Sequence, residues 1–362
     1  MEKARVGTSQ LFVLIILFQL SNSFLLPIGI GGKHDAWLVN FITAIVSMVL
    51  FFVYHALYQY YPKILPTEYM EKLIGKFFGR LLAFLYILYF MMNASRVLRD
   101  IGETMLTFAY PETPLFVLST ILILVVIYTV FKGIEVIARA GELLVVLLFL
   151  LFISVFLLVV LSGLIDISNL QPVLEDPTNV VKTIFTETLY VPFGEIVIFT
   201  MIFPYLNQPK KVKKTGVLAI GVTGIVFAVS MALTISILGV QLTSRSHFPM
   251  LTTIQSIQIA NFLERLDVLF IIVLVIGGFF KVTVYTYGAV IGTARLFNIK
   301  EPSKLTYPLG IVILLISMII ASNYSEHIHE GLHVVSLYAH LPFQIIFPFF
   351  LLLIAFVKNK KK

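Results

Sequence analysis

The residues best placed to do chemistry are a few charged side chains set in apolar sequence, Lys281 first among them. Lys281 lies about 11 residues from the inner end of a long apolar run, so about 16 Å deep at 1.5 Å per residue. That is deeper than a lysine stem easily snorkels. A charge so placed is costly and faces an interior cavity or a partner of opposite sign. Glu195 is the natural candidate, as a pairing partner, as a ligand for an amine, or as a proton acceptor; capping a half-helix is the structural alternative. It stands in Val191-Pro192-Phe193-Gly194-Glu195, where proline and glycine must open a helix. Pro27-Ile28-Gly29-Ile30-Gly31 does the same in the first apolar run. Opened helix ends present free N–H groups and carbonyls together with half-helix dipoles. Pro27, Ile28, Gly29, Ile30, Gly31, Pro192, Phe193, Gly194 and Glu195 are therefore the candidate ligand-binding residues, for a small zwitterion such as an amino acid.

Two further groups carry charge. Arg96, Arg99, Asp100 and Glu103 fall on one helical stripe. They read either as an outer vestibule or gate, or as a salt-bridge ladder between helices. His329-Glu330-Gly331-Leu332-His333 fits the His-Glu-x-x-His zinc-peptidase pattern, which makes His329 and His333 weak metal candidates. The motif lies in a loop before the last apolar run and lacks a clear third ligand, Glu326 and His327 being too close in sequence. A membrane metallopeptidase is the remote reading and a solvated loop the plainer one.

The elements that must position these residues are transmembrane helices. Of 362 residues, 59% are hydrophobic and 12% charged, about half the charge of a soluble domain. Ten runs long enough to cross a bilayer lie at about 10–32, 36–60, 80–108, 115–131, 142–164, 181–204, 215–240, 266–292, 305–322 and 334–357. The first has Lys3 and Arg5 before it but no small-x-small cleavage site, and reads as an uncleaved span. Nineteen of the 26 Lys and Arg residues fall in alternate segments, including Lys210-Lys211-x-Lys213-Lys214 and the terminal Lys358, Lys360, Lys361 and Lys362. Only Lys33, Lys182, Arg245 and Arg265 fall in the others. This asymmetry puts both termini on the cytoplasmic side, and anionic lipid headgroups suit the lysine cluster. The two breaks head two blocks of five spans, about 1–165 and 180–362, within one membrane domain. Interrupted helices at matching positions of two halves point to a transporter-type site. The chain has no cysteine, so disulfides and thiolate metal sites are excluded. No nucleotide, phosphate-loop, cofactor or nucleic-acid motif is present.

Leu26-Pro27, Asp35-Ala36-Trp37, Tyr61-Pro62, Glu68-Tyr69, Arg96-Val97-Leu98-Arg99, Gly133-Ile134-Glu135, Leu170-Gln171-Pro172-Val173-Leu174, Gly194-Glu195, Glu264-Arg265-x-Asp267 and Lys281 follow one another in an order and spacing that resembles the B subunit of GerA-type spore germinant receptors. These are a branch of the amino acid–polyamine–organocation transporter superfamily, and the resemblance runs nearly end to end. It implies an all-α fold of ten spans with a five-plus-five inverted repeat. It also implies nutrient sensing, of amino acids or sugars, in the inner membrane of a dormant spore, beside an A subunit and a lipoprotein C subunit. In that fold class the eighth span passes the break in the first, where sodium-coupled relatives bind an ion; there the Lys281 ammonium would replace sodium. Gly277-Gly278 departs from the bulkier residues of the family, and the outer loop with three histidines is unusual. The alternative function is a proton-coupled amino acid transporter; neither requires catalysis.

Overall fold

The computed structural model describes residues 5–24, 26–257 and 267–360. Lys3, Glu264, Arg265, Lys361 and Lys362, and the side chains of Asp267 and His333, lie outside the described residues. Among the described residues, nine helices are long and apolar enough to cross a membrane. They are the second to tenth spans: Ile30–Tyr60, Lys76–Phe108, Leu115–Lys132, Ile134–Leu161, Pro177–Met201, Pro209–Arg245, Val268–Leu296, Pro302–Ile319 and Val334–Lys360. The first span is the tenth crossing, and it falls short because it is interrupted: Thr8–Gln19 is helical, Asn22–Phe24 makes one turn, and regular helix returns only with the second span.

Local chemistry sets most boundaries. Proline opens the helices at Pro177, Pro209 and Pro302, where its missing N–H would have had no partner. The fifth span starts earlier than its apolar core, because Glu135 and Arg139 pair one turn apart in solvent and extend the helix. A short helix, Pro66–Ile74, lies between the second and third spans; it is too short to cross, and it buries Tyr69, Met70 and Leu73 on one side.

The first span is the central post. Leu11, Leu14, Ile15, Ile16, Leu17 and Phe18 are completely buried, packed against the fifth, seventh and eighth spans. Elsewhere the third span packs on the eighth and the second on the seventh. The fifth span turns Leu143, Val146 and Leu150 outward, as a lipid-facing helix does. Both described ends lie on one face. The Arg5 amide donates to Glu135, Gln10 to Glu142, and Lys358 to the carbonyl of Lys72. Val6 pairs with Leu206 in an isolated parallel bridge, tying the N-terminal segment to the end of the sixth span.

Candidate ligand-binding site between the broken helices

The first break is held open by side chains of its neighbours. Gly29 has φ +82°, a left-handed conformation that a Cβ would strain. Asn40 of the second span donates to the carbonyls of Ile28 (2.8 Å) and Ala36 (2.9 Å), and Asn179 donates to that of Gly31. Asp35 accepts the Leu174 amide with both oxygens, at 2.9 and 3.0 Å. In the sixth span Val191 is extended (φ −126°, ψ 122°), and Gly194–Met201 continues as narrow 3₁₀ turns. The Tyr54 hydroxyl reaches across to the Gln344 carbonyl (2.7 Å) and, more distantly, the Gly194 carbonyl (3.4 Å).

Glu195 and Lys281 meet behind these breaks. Lys281 Nζ donates to Glu195 Oε2 at 2.5 Å, and the Tyr285 hydroxyl donates to Oε1 at 3.1 Å. Lys281 is 0% exposed and Glu195 3%. The ammonium also stands 5.2 Å from the centre of the Phe18 ring, on the last turn of the first span's helix. Burying two charges demands this kind of geometry, because attraction offsets the loss of hydration only when the remaining groups are also satisfied. Gly277 explains how the eighth span comes so close: a Cβ there would lie 2.8 Å from Ser21 Cα and 2.9 Å from the Leu20 carbonyl. The ammonium thus sits one turn beyond the point where the eighth span touches the first break. The bulkier residues expected at Gly277 could not occupy this position with the backbones so near.

The stripe on the third span divides into two parts. Arg99 Nε pairs with Glu103 at 2.7 Å, and its Nη1 donates to the carbonyls of Ser317 and Met318, both 3.2 Å, which braces the end of the ninth span. Asp100 turns inward: it accepts from Asn22 (2.6 Å), beside the first break, and lies 2.9 Å from His327 Nε2. Arg96 donates to the His327 carbonyl. A cavity of about 50 Å³ lies among Asn22, Asn93, Arg96, Asp100, Glu195, His327 and His340, with Leu26, Val191 and Leu332 in its wall. A chamber of about 480 Å³ adjoins it, lined by Pro27, Ile28, Gly29, Ile30, Gly31 and Glu187, and shares those three wall residues. The inner cavity has room for a few waters, and the three shared apolar side chains stand where it meets the chamber.

Of the candidates, Pro27 to Gly31 line the chamber, Glu195, Arg96 and Asp100 line the cavity, and Lys281 lies directly behind Glu195. Arg99 and Glu103 stand apart. Phe193 is buried against Phe227 (ring centres 5.9 Å apart) and, with Pro192 and Gly194, shapes the sixth-span break. Gly194 faces Gln344, which would meet a Cβ there at 2.1 Å. Asn22, Asn93, Tyr285, His327 and His340 were not singled out as site residues in the sequence. Asn93 and His340 are polar residues flanked by apolar ones, a signal of interior function in membrane helices, whereas Asn22, Tyr285 and His327 have polar neighbours in the chain that mask the signal. His329 is exposed, while His327, one of the two weighed as a third metal ligand, points inward to Asp100. Among the described residues no group of three or more His, Asp or Glu could hold a metal ion.

This architecture defines a class, a multi-pass membrane protein with the ten-span, five-plus-five inverted-repeat transporter fold. MhsT, solved in complex with L-phenylalanine, superposes with TM-score 0.74 over 96% of this chain and 88% of its own at 13% identity. Mhp1, a nucleobase-cation-symport-1 family transporter solved closed with bromovinylhydantoin bound, gives TM-score 0.67 over 91% and 75% at 12% identity. Residues 5–325 match the spore germination protein family, to which the chain belongs. It is 50% identical to spore germination protein KB of Bacillus subtilis (strain 168), over 100% of this chain and 97% of that one. Spore germination protein YndE of the same organism is 24% identical over 87% of each.

Proposed function

We propose that the chain is the nutrient-binding B-type subunit of a spore germinant receptor, taking a small nutrient, in the first instance an amino acid, between the broken first and sixth helices. The observation that carries this reading is the cavity enclosed by both breaks, with the Lys281–Glu195 pair behind it and Arg96 and Asp100 in its outer wall. An amino acid needs charged or dipolar partners for both ends, and these groups supply both signs within one small space. Admission requires Leu26, Val191 and Leu332 to part, so a bound nutrient would favour the conformation in which they have done so. That shift is the signal, passed to an A subunit and a lipoprotein C subunit in the spore's inner membrane, with both termini in the cytoplasm. The two repeats, about 1–165 and 180–362, would move relative to one another as in a transporter. No step in this cycle needs catalysis or a cofactor.

The fold likeness to a symporter favours one alternative, a proton-coupled amino acid transporter. Uptake of radiolabelled amino acids into proteoliposomes of the full chain, alongside thermal-shift binding of the same compounds, separates the two. Binding without uptake is the expected result. Accumulation against a gradient that collapses with the proton gradient would replace the receptor by the transporter, and binding of no nutrient by the wild-type chain would remove both.

A further inference from the structure

A groove of about 600 Å³ opens between the start of the third span and the end of the eighth, on the face that carries both chain ends. Its walls are apolar, made by Phe77, Leu81, Phe84 and Phe297, and its mouth is basic, with Lys76 and Arg80. Phe77 is 75% exposed although it begins a membrane helix. Residues 76, 80 and 84 follow one another at single-turn spacing, so the groove runs from charge to aromatic along one stripe. Arg80 is fixed across it: Nη2 donates to the Leu296 carbonyl at 2.9 Å, and Nε stands 3.9 Å from Glu71. The guanidinium therefore bridges the start of the third span and the end of the eighth.

We propose that this groove is a binding site for an anionic phospholipid, its phosphate held by Lys76 and Arg80 and one acyl chain lying along Leu81, Phe84 and Phe297. The order of chemistry along the groove is that of the lipid itself, anion at the interface and hydrocarbon inward. Basic pockets between membrane helices recognise acidic headgroups in this way. The site is separate from the nutrient cavity and does not depend on what fills that cavity. It also differs from the Lys210–Lys214 cluster, which offers charge without the apolar groove.

The test places the sole tryptophan in the groove, by Phe84→Trp in a Trp37→Phe background, in nanodiscs of phosphatidylcholine. Phosphatidylglycerol with brominated chains should quench it at mole fractions about tenfold to thirtyfold lower than brominated phosphatidylcholine, from about fivefold per basic residue. Lys76→Gln with Arg80→Gln should bring the two lipids within about threefold, while Lys210→Gln with Lys211→Gln should leave the preference unchanged. Equal quenching by both lipids, or none, would overturn the site. So would an equal loss of preference in the Lys210/Lys211 variant, since diffuse surface charge would then explain it. The first comparison uses the native charges, so poor folding of the double variant leaves the test intact.

Discussion

Replacing Lys281 by methionine tests the buried pair most directly. Methionine keeps the length and apolar stem of lysine and removes the ammonium. Glu195, 3% exposed, would then retain only the Tyr285 hydroxyl at 3.1 Å. Breaking a buried pair by removing one member costs about 3–5 kcal/mol, because the other charge stays behind uncompensated. Glu195→Gln should cost somewhat less, since the stranded ammonium keeps the Phe18 ring at 5.2 Å, a contact contributing about 2 kcal/mol when desolvated. Combining the two removes both charges and leaves one neutral amide that can still accept from the Tyr285 hydroxyl, far cheaper to bury than an unpaired charge. The double variant should therefore recover most of the loss, falling short of the sum of the two single variants by about 3 kcal/mol or more. Thermal unfolding of the four proteins in detergent, followed by circular dichroism, closes the cycle. The double variant then addresses function: folded but lacking the pair, it should lose at least tenfold in affinity for whichever compound stabilises the wild type. Additive stabilities would refute the pairing. A stable double variant that binds like the wild type would reduce the pair to a structural strut.

The division of the third-span stripe predicts opposite phenotypes for neighbouring residues. Asp100→Asn weakens contacts with Asn22 and His327 beside the cavity and should reduce nutrient affinity about tenfold or more, whereas Arg99→Met should lower stability by about 1–3 kcal/mol with affinity nearly unchanged; equal effects on affinity would erase the distinction. Gly277→Leu drives a side chain into the backbone of Ser21 and Leu20 and should destabilise by at least about 1–3 kcal/mol. Wild-type thermal stability for that variant would show that the eighth and first spans do not touch there.

The spans were legible because lipid demands about 20 apolar residues for each crossing, and the breaks because proline and glycine interrupt helices wherever they fall. Lys281 and Glu195 were legible as isolated charges at depth. What the sequence could not show was adjacency. Asn22 sits in Ser21-Asn22-Ser23, which reads as a polar interruption, and only the third span's approach makes it a partner of Asp100. His327 and His340 are hidden for a different reason: the histidine motif at 329–333 draws attention to the outer loop. The wide turns of Glu330–Ile346 then carry His340 and Gln344 inward, where Gln344 Nε2 donates to the Tyr89 hydroxyl at 2.9 Å and His340 Nδ1 meets the same hydroxyl at 2.8 Å. Arg96, Arg99, Asp100 and Glu103 looked like one unit because helical spacing fixes direction on one helix only. The partners that split them belong to the ninth span, to the short helix Tyr324–His329 that precedes the tenth, and to the first break.

Gly277, where the resemblance implies a bulkier residue, bears on the choice between receptor and transporter. A free cation at the junction of the first and eighth spans enters and leaves with each cycle, which is how a symporter draws on an ion gradient. A lysine ammonium at that junction can change partners but cannot leave. Gly277 lets the two backbones close on each other just before Lys281, and Glu195 then neutralises the ammonium from within the sixth-span break. Opening that break would pull the carboxylate from its partner, at a cost set by the buried pair unless the nutrient's own charges take over part of the contact. A site built this way needs no ion from solution to couple occupancy to helix movement. On the proposed function it would give a conformational signal without obligatory ion flux, the property required of a sensor on a transporter frame.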